Sequence, residues 1–427
     1  MVEEREVTPW SVRPRFAGRS LARVGAGALV ASFFIGTADI TISTRMGALF
    51  GFDMWWTFVV LGVAGWALMD MSVRYFLRFG RSPLSLFKEL HPLLCGYLFL
   101  TVVVTTIVGA YSQWNACAQV LSDFHPALPT EVGGALAALA AVALLAVGAY
   151  RRLEHLFVAG LLALVVLFAA AAIAADAPWG DAWRGLVPGG PVEPRERWKA
   201  LLQANAGSLI NAWLILVYPY TMVEKGWYSR HLGEQLRILQ RARWDYGVGM
   251  AAAAVVALPI MAVAAAVARP FGIFPSNSTE FAALLEPVAG STARTLFLAG
   301  LFLAAWTAGI GWIVCGTYAM LDLGNIRLKM DSRPFRVCLA IFGVASASIL
   351  FLRVNPFDGI QVFAAFLAVV FPVVALAMVW RLSRPDMGYY RWWPRNVRGL
   401  TVVLLDLFAL AVSLYVGWGM MSSFLAS

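Results

Sequence analysis

Stretches of roughly 20 apolar residues recur along almost the whole chain, each ending at glycine, proline or charged residues. A lipid hydrocarbon core about 30 Å thick requires roughly 20 such residues for each helical crossing. Because that core offers no water to backbone amides and carbonyls, a crossing segment satisfies them internally, as a helix does. The sequence therefore predicts an all-α polytopic membrane protein whose partner is the lipid bilayer. Eleven spans are predicted, at residues 24–44, 53–77, 93–121, 131–149, 154–175, 202–224, 246–268, 292–322, 336–352, 358–381 and 399–424.

Composition and charge support a single membrane domain. Hydrophobic residues make up 60% of the chain and charged residues 13%, which is too little polar surface to cover a water-soluble globule. The basic residues are scattered over short loops, so no nucleic-acid partner is predicted. Residues 1–23 carry several arginines without the apolar core of a signal peptide, and we interpret them as a cytoplasmic N-terminal tail. Residues 24–427 are predicted to form the transmembrane domain.

The distribution of lysine and arginine predicts the orientation of the spans, because short cytoplasmic loops accumulate these residues. The loops after the second, fourth, sixth, eighth and tenth spans are basic, whereas most of the loops after odd-numbered spans are poor in cations. The segment 176–201 mixes acidic and basic residues with proline and glycine, which predicts a long external loop. We therefore expect a protein of the inner cell membrane with a cytoplasmic N-terminus and an external C-terminus.

The order of the spans is compatible with two five-helix halves of opposite orientation, followed by an eleventh helix. In such an arrangement, interruptions in the first helix of each half indicate the binding site of a transporter. The first span is predicted to break at Gly36, which tolerates non-helical backbone angles. The sixth span is predicted to break at Tyr218-Pro219-Tyr220, because proline lacks an amide donor. Carbonyl oxygens freed at mid-membrane depth by both breaks suit a cation.

Asp39 is a carboxylate near the middle of the first span, where a charge costs at least ~2.5 kcal/mol. We interpret it as the main charged ligand of a cation or as a group that takes up a proton. Gly36, Thr37 and Tyr218 are expected to supply nearby oxygens. In the alternative interpretation the span begins later, and Asp39 lies in an external vestibule or pairs with Arg45.

Other polar residues of the spans have both a functional and a structural interpretation. Tyr218 and Tyr220 either line the binding site or are packed aromatic residues with bonded hydroxyls. Gln113, Asn211 and Glu224 are candidates for the lining of the transport pathway. Asn211 also suits interhelical hydrogen bonding, and Glu224 also suits a solvated helix end.

Charges and thiols elsewhere are interpreted structurally. Asp70 and Arg74 lie one helical turn apart near the end of the second span, which is typical of an exposed or snorkelling pair. Asp406 in the eleventh span has no explanation at the level of sequence. The four cysteines lie in apolar runs without CxxC spacing, which predicts packed thiols and not metal ligands.

Three segments resemble the NRAMP family of divalent-metal transporters. The stretch from Val24 to Asp39 is similar to the first helix of that family, whose hallmark is Asp-Pro-Gly-Asn after a Gly-Pro-Gly opening. Tyr218-Pro219-Tyr220 stands where the family has Met-Pro-His. The stretch Gly316-Thr317-Tyr318-Ala319 at the end of the eighth span also fits, as do the number and the orientation of the spans.

This resemblance implies a fold of the amino-acid-polyamine-organocation type, with a metal ion held between the unwound parts of the first and sixth helices and coupled to protons. Gly36 stands in place of the family's metal-binding Asp, and Asp39 in place of its Asn. Tyr218 replaces the thioether Met and Tyr220 replaces the His. Gln113 stands where the third helix usually has an acidic residue of the proton pathway. The implied metal ligands are therefore Asp39, Gly36 and Tyr218, all of which offer oxygen.

The predicted function is secondary active transport of a divalent metal cation such as manganese, iron or magnesium, either coupled to protons or facilitated. No resident cofactor is predicted. One alternative is a transporter of a small organic cation or amino acid, because Tyr218 and Tyr220 could cover a cationic group. A second alternative is a transport-inactive sensor or assembly protein of the same fold, since several family ligands are replaced. The sequence has no HExxH, no GxSxG and no paired acidic motif within a span, so no enzyme is predicted.

Overall fold

The structure is a computed structural model that describes residues 35–146, 150–210, 212–275, 278–326, 330–352, 367, 370, 372–390 and 397–426. The predicted tail 1–23, the first part of the first span and Asn211 lie outside the described residues. Within these ranges the chain forms α-helices joined by turns and 3-10 helices, without a β-strand, which agrees with the all-α prediction. The α-helices are α1 (Thr37–Phe50), α2 (Trp56–Phe79), α3 (Pro83–Leu90), α4 (Pro92–Phe124), α5 (Thr130–Ala146), α6 (Tyr150–Ala174), α7 (Arg195–Leu209), α8 (Ala212–Glu224), α9 (Leu232–Val267), α10 (Ser278–Leu323), α11 (Arg333–Phe351), α12 (Pro372–Leu382) and α13 (Val397–Ala426).

Six segments within the described residues are long and apolar enough to cross a membrane. They lie in α2, α4, α9, α10, α11 and α13, and they coincide with the predicted second, third, seventh, eighth, ninth and eleventh spans. Shorter apolar helical segments lie in α5, α6 and α12, at the predicted fourth, fifth and tenth spans. The apolar runs of the sequence thus correspond to helices throughout the described residues.

Glycine and proline set several of the helix ends. α2 ends at Gly80, which adopts the left-handed conformation (φ 65°, ψ 19°) that favours glycine at this position. α3 and α4 begin with Pro83 and Pro92. Proline is tolerated there because an amide in the first turn would have no partner within the helix. Gly290 bends α10, with φ 80°. Proline therefore begins two of these helices, and glycine ends one and bends another.

The helices pack as two groups. The first group contains α1, α2, α7, α8 and α9, and a Cβ on Gly47 of α1 would collide with the carbonyl of Met261 on α9. The second contains α4, α5, α10 and α11, and Gly109 of α4 lies against the indole of Trp312 on α10. α6 packs against α9 and α10, and α13 packs against α2. The two groups meet where α1 contacts α4 and α10, and where α8 contacts α10.

Short connecting helices occur in matching places of the two halves. α3 lies between the second and third spans, and the part of α10 before the bend at Gly290 lies between the seventh and eighth spans. Two repeats of one structural unit are expected to share such a feature. The element order therefore supports the predicted division into two halves.

The sixth span is interrupted at Ile210, and the predicted break at Tyr218-Pro219-Tyr220 is wrong. α8 continues through the proline as a helix. Pro219 has no amide to donate to the carbonyl of Ile215 one turn earlier, and the hydroxyl of Ser72 on α2 donates to that carbonyl instead (2.6 Å). Because a neighbouring helix supplies the missing donor, the proline is accommodated within α8.

The predicted external loop 176–201 is shorter in the structure, because α7 already begins at Arg195. A 3-10 helix, Trp179–Leu186, occupies part of the remaining segment. It packs against the turn between α1 and α2. Gly185 lies so close to this turn that a Cβ at its position would collide with the carbonyl of Phe52. Some of the charged residues that the sequence assigns to the loop, Arg195 and Glu196 among them, therefore lie in the first turn of α7.

Candidate functional site

The start of α1 and the end of α7, two helices of the first group, lie beside each other. α1 begins at Thr37, after Gly36 in an extended conformation (φ −102°, ψ −176°). α7 ends before Ile210, whose backbone (φ −100°, ψ 56°) is not helical. The last carbonyls of α7 and the first amides of α1 lack partners within their own helices. Polar groups of the backbone are therefore concentrated between the two ends.

Asp39 joins these two helix ends. One carboxylate oxygen accepts the amide of Gly36 (2.9 Å), which closes a turn at the start of α1. The other accepts the hydroxyl of Ser208, in the last turn of α7. Arg45, the alternative partner of Asp39, instead donates to the carbonyl of Pro275 (3.2 Å). The carboxylate thus lies between the two helix ends, as the cation-site interpretation requires.

Gln113 brings the second helix group to the same place. Its side-chain oxygen accepts both the amide (3.1 Å) and the hydroxyl (2.9 Å) of Thr37. A Cβ on Gly36 would lie 3.4 Å from the amide atoms of Gln113 and 3.2 Å from Ala308 on α10. The start of α1 is therefore held by α4 and lies against α10, at the boundary between the two groups. The structure brings Gly36, Thr37 and Asp39 together with Gln113, a candidate for the lining of the pathway.

Ser208 is a site residue that the sequence analysis does not identify. It stands between Gly207 and Leu209 in a mixed run, and its significance depends on the break at Ile210, which the sequence analysis places elsewhere. A serine in the last turn of a helix places its hydroxyl next to the carbonyls that the helix end leaves unpaired. This position could have identified Ser208 as a site residue. The pattern becomes informative once the break is known.

A small cavity of about 10 Å³ lies beside Asp39. Its walls are mainly apolar side chains of α1, α2, α7 and α9, with the addition of Asp39 and Ser43. The Ser43 hydroxyl is buried and has no hydrogen-bond partner. Roughly 10–15 Å³ is the space that one water molecule requires. This side of the site is therefore closed and can hold one small polar species.

The donor groups of the site are oxygens. They comprise the Asp39 carboxylate, the hydroxyls of Thr37 and Ser208, the Gln113 amide oxygen and the carbonyls at the end of α7. Within the described residues, no group of three or more His, Cys, Asp and Glu side chains is placed to hold a metal ion. A cation bound here would therefore depend on one carboxylate and several neutral oxygens. Such oxygen ligands suit hard ions such as Mg²⁺, Ca²⁺ and Mn²⁺.

Tyr218 and Tyr220 have partners away from Asp39. The Tyr218 hydroxyl donates to Asp245 on α9 (2.8 Å), and the Tyr220 hydroxyl donates to Asp322 on α10 (2.5 Å). Both tyrosines are buried on α8 after the break at Ile210 and do not line the cavity beside Asp39. The structure therefore does not bring them together with Asp39, because the helix interruption precedes them. A metal-ligand role of Tyr218 has no geometric support.

Glu224 is also bonded and is not a solvated helix end. Its side chain accepts the hydroxyl of Tyr318 on α10 (2.9 Å) and the amide of Met330 (3.0 Å). These partners come from the second helix group and from the segment before α11. Glu224 thus connects parts of the chain at one end of the bundle, and not at the site around Asp39.

The charges of α2 and α13 form a buried network. Asp406 accepts two hydrogen bonds from Arg74 (2.8 and 2.6 Å), which explains its presence in an apolar helix. Asp70 accepts from Arg243 (2.6 and 3.0 Å) and from Tyr246 (2.9 Å), and it also pairs with Arg74 (2.9 Å). Asp70, Arg74 and Asp406 are buried, so the prediction of an exposed or snorkelling Asp70–Arg74 pair is wrong. The network attaches α13 to the first helix group.

Comparisons with known proteins find a matching family model and a relative of similar length. The model of the Nramp family, described as natural resistance-associated macrophage protein-like, matches residues 27–417. An uncharacterized protein of Pasteurella multocida (strain Pm70) is 23% identical over 386 residues, which cover 87% of this chain and 88% of that protein. Both matches extend over the helices that form the site.

Two solved structures show the fold. The crystal structure of the Eremococcus coleocola manganese transporter in complex with an aromatic bis-isothiourea substituted compound has a TM-score of 0.71 at 18% identity, and the match covers 98% of this chain and 96% of that chain. A nucleobase-cation-symport-1 family transporter has a TM-score of 0.62 at 14% identity, again covering 98% of this chain and 96% of that chain. The chain therefore shares the fold of these transporters, and the predicted all-α polytopic fold class is confirmed.

Proposed function

The chain belongs to the Nramp family and is an integral membrane protein, and from this premise we propose that it is a secondary transporter of a divalent metal cation. The observation that carries the proposal is the position of Asp39, whose carboxylate lies between the start of α1 and the end of α7. A carboxylate at two helix ends combines a negative charge with freed backbone carbonyls. The manganese transporter of the same fold supports this choice of substrate class.

The site residues of this chain would hold the cation by replacing part of its hydration shell. Asp39 supplies the charge, and the Ser208 hydroxyl now bonded to it turns its oxygen toward the ion. Gln113 and Thr37 fix the start of α1, and carbonyls of the last turn of α7 complete the ligands. Because Asp39 is the one carboxylate that the described residues place at this site, we expect the ion to retain some of its water ligands.

The orientation and the coupling are part of the proposal. The basic loops support a cytoplasmic N-terminus and an external C-terminus in the inner cell membrane. In that orientation, Glu224 and Asp322 lie at the cytoplasmic end of the helices. If Asp39 exchanges the cation for a proton, transport is coupled to protons. Without that exchange, transport is facilitated.

The alternative substrate class, a small organic cation or amino acid, loses the feature that favoured it. Tyr218 and Tyr220 bond to Asp245 and Asp322 and do not cover the space beside Asp39. The cavity of about 10 Å³ is also too small for an organic molecule in the structure as it stands. Saturable metal flux by the purified protein would exclude the remaining alternative, a transport-inactive protein of this fold.

The donor set predicts a preference for hard ions. In proteoliposomes, we expect uptake of Mn²⁺ or Mg²⁺, and we expect Cd²⁺ to compete with radioactive Mn²⁺ at least about tenfold more weakly than unlabelled Mn²⁺ does. The measurement is uptake of radioactive Mn²⁺ in the presence of increasing Mg²⁺ or Cd²⁺. A variant with all four cysteines replaced by alanine controls for cadmium bound to thiols. Competition by Cd²⁺ that is stronger than that by unlabelled Mn²⁺ would contradict the assignment.

A further inference from the structure

Two helices that meet at one end of the bundle each carry a tyrosine followed four residues later by a carboxylate. α8 has Tyr220 and Glu224, and α10 has Tyr318 and Asp322. Residues four apart lie on one face of a helix, one turn from each other. Each helix therefore presents a phenol and a carboxylate side by side.

The two pairs are bonded reciprocally. The Tyr220 hydroxyl on α8 donates to Asp322 on α10 (2.5 Å), and the Tyr318 hydroxyl on α10 donates to Glu224 on α8 (2.9 Å). The rings of Tyr220 and Tyr318 stack between these bonds, with centroids 5.3 Å apart and planes 13° from parallel. Both tyrosines are 1% exposed. Hydrogen bonds to a charged acceptor are stronger than neutral ones, so the crossed pairs hold the two helices together.

Additional donors fix the carboxylates in place. Ser82, just before α3, donates to Asp322, and the Lys88 ammonium on α3 lies 3.8 Å from the Asp322 carboxylate. The amide of Met330 donates to Glu224 (3.0 Å). Each carboxylate therefore accepts from a tyrosine of the opposite helix and from a connecting segment. The contact joins the two helix groups with the loops at this end of the bundle.

The helices that carry these four residues, α8 and α10, belong to different helix groups and lie next to the candidate site. α8 begins just after the break at Ile210, so its connection to α7 is not a continuous helix. α8 belongs to the first helix group and α10 to the second. Transporters of this fold rotate one group against the other and so expose a central site to alternate sides. This end of the bundle opens only if that rotation separates α8 from α10.

We propose that Tyr220, Glu224, Tyr318 and Asp322 form a latch that closes the cytoplasmic end of the pathway and must open before the cation leaves Asp39. This role rests on the proposed transport function and on the proposed orientation. Opening breaks two phenol–carboxylate bonds and one ring stack at once, and closing restores them. The latch residues therefore control release of the cation and do not bind it in the closed state.

Cys315 offers a natural reporter for the latch. It lies on α10 one turn before Tyr318 and is 2% exposed. In a background with Cys95, Cys117 and Cys338 replaced by alanine, the rate of its reaction with a maleimide is measured in the reconstituted protein without any metal. We expect Tyr220→Phe and Tyr318→Phe together to raise this rate at least tenfold, because the open form becomes more populated.

The matched control is Tyr246→Phe. It removes a tyrosine–carboxylate bond of 2.9 Å to Asp70, the same length as the Tyr318–Glu224 bond, but within the first helix group. This variant is expected to leave Cys315 as protected as in the background protein. Tyr318→Phe alone provides a milder change that retains the Tyr220–Asp322 bond if the double variant is poorly produced.

The outcomes separate the latch from the transport function. A faster reaction of Cys315 in the latch variants but not in the control supports the latch, whatever ion the protein carries. Unchanged protection of Cys315 in the double variant overturns it, even when Asp39-dependent uptake of Mn²⁺ is observed. Equal increases in the latch variants and in Tyr246→Phe also overturn it, because they indicate general loosening.

Discussion

Replacement of Asp39 by alanine is expected to reduce Mn²⁺ uptake into proteoliposomes at least about a hundredfold. Removal of one partner from a buried charged contact costs about 2–5 kcal/mol, and a hundredfold loss corresponds to roughly 2.7 kcal/mol. The reason is local, because Asp39 supplies the negative charge between the ends of α1 and α7. Initial rates at several Mn²⁺ concentrations measure the loss.

Two companion variants make this result specific. Ser208→Ala keeps the carboxylate and removes one neutral ligand, so we expect a smaller loss of about threefold to tenfold. Asp53→Ala removes an exposed carboxylate shortly after α1 and is expected to leave uptake unchanged. Uptake by Asp39→Ala at the level of Asp53→Ala would eliminate the proposed role of Asp39.

The largest effect on stability is expected at Asp70. Its carboxylate bonds to Arg243 (2.6 Å) and Tyr246 (2.9 Å) and pairs with Arg74 (2.9 Å), and it is fully buried. Asp70→Ala leaves these partners without their shared acceptor. Loss of one member of a buried ion pair costs about 3–5 kcal/mol. Denaturant unfolding of the purified protein in detergent micelles, followed by tryptophan fluorescence, measures the change.

An exposed ion pair provides the comparison for Asp70. Asp386 bonds to Arg381 (2.7 Å), and this bond lowers the pKa of Asp386 below its usual value. Because its side chain is 56% exposed, Asp386→Ala is expected to change the free energy of unfolding by less than about 1 kcal/mol. If Asp70→Ala were no more destabilising than Asp386→Ala, the buried contacts of Asp70 would not stabilise the fold as proposed.

The parts of the fold that depend on local chemistry could be predicted from the sequence. Apolar runs of membrane-spanning length identify the helices, because lipid imposes their length and their internal hydrogen bonding. Gly36 and Asp39 are recognisable in the same way, since a flexible residue and a buried charge are both unusual within an apolar span. The structure places them at one helix end, beside Thr37.

Features that depend on distant residues could not be predicted. Pro219 resembles a helix break until Ser72 of α2 is seen to donate to the carbonyl that the proline leaves unpaired. Asp70 and Arg74 resemble an exposed pair because Asp406, which completes their network, is far away in the sequence. Ser208 likewise becomes a site residue only through its contact with Asp39. In each case the deciding partner lies on another helix.

The central claim is that Asp39 holds a divalent cation where α1 begins and α7 ends. Anomalous diffraction from crystals grown with Mn²⁺ tests it most directly. We expect a manganese peak within about 2.5 Å of the Asp39 carboxylate, and we expect no peak there in crystals of Asp39→Ala. A peak elsewhere in the wild-type protein, for example between Glu224 and Asp322, with none beside Asp39, would contradict the account.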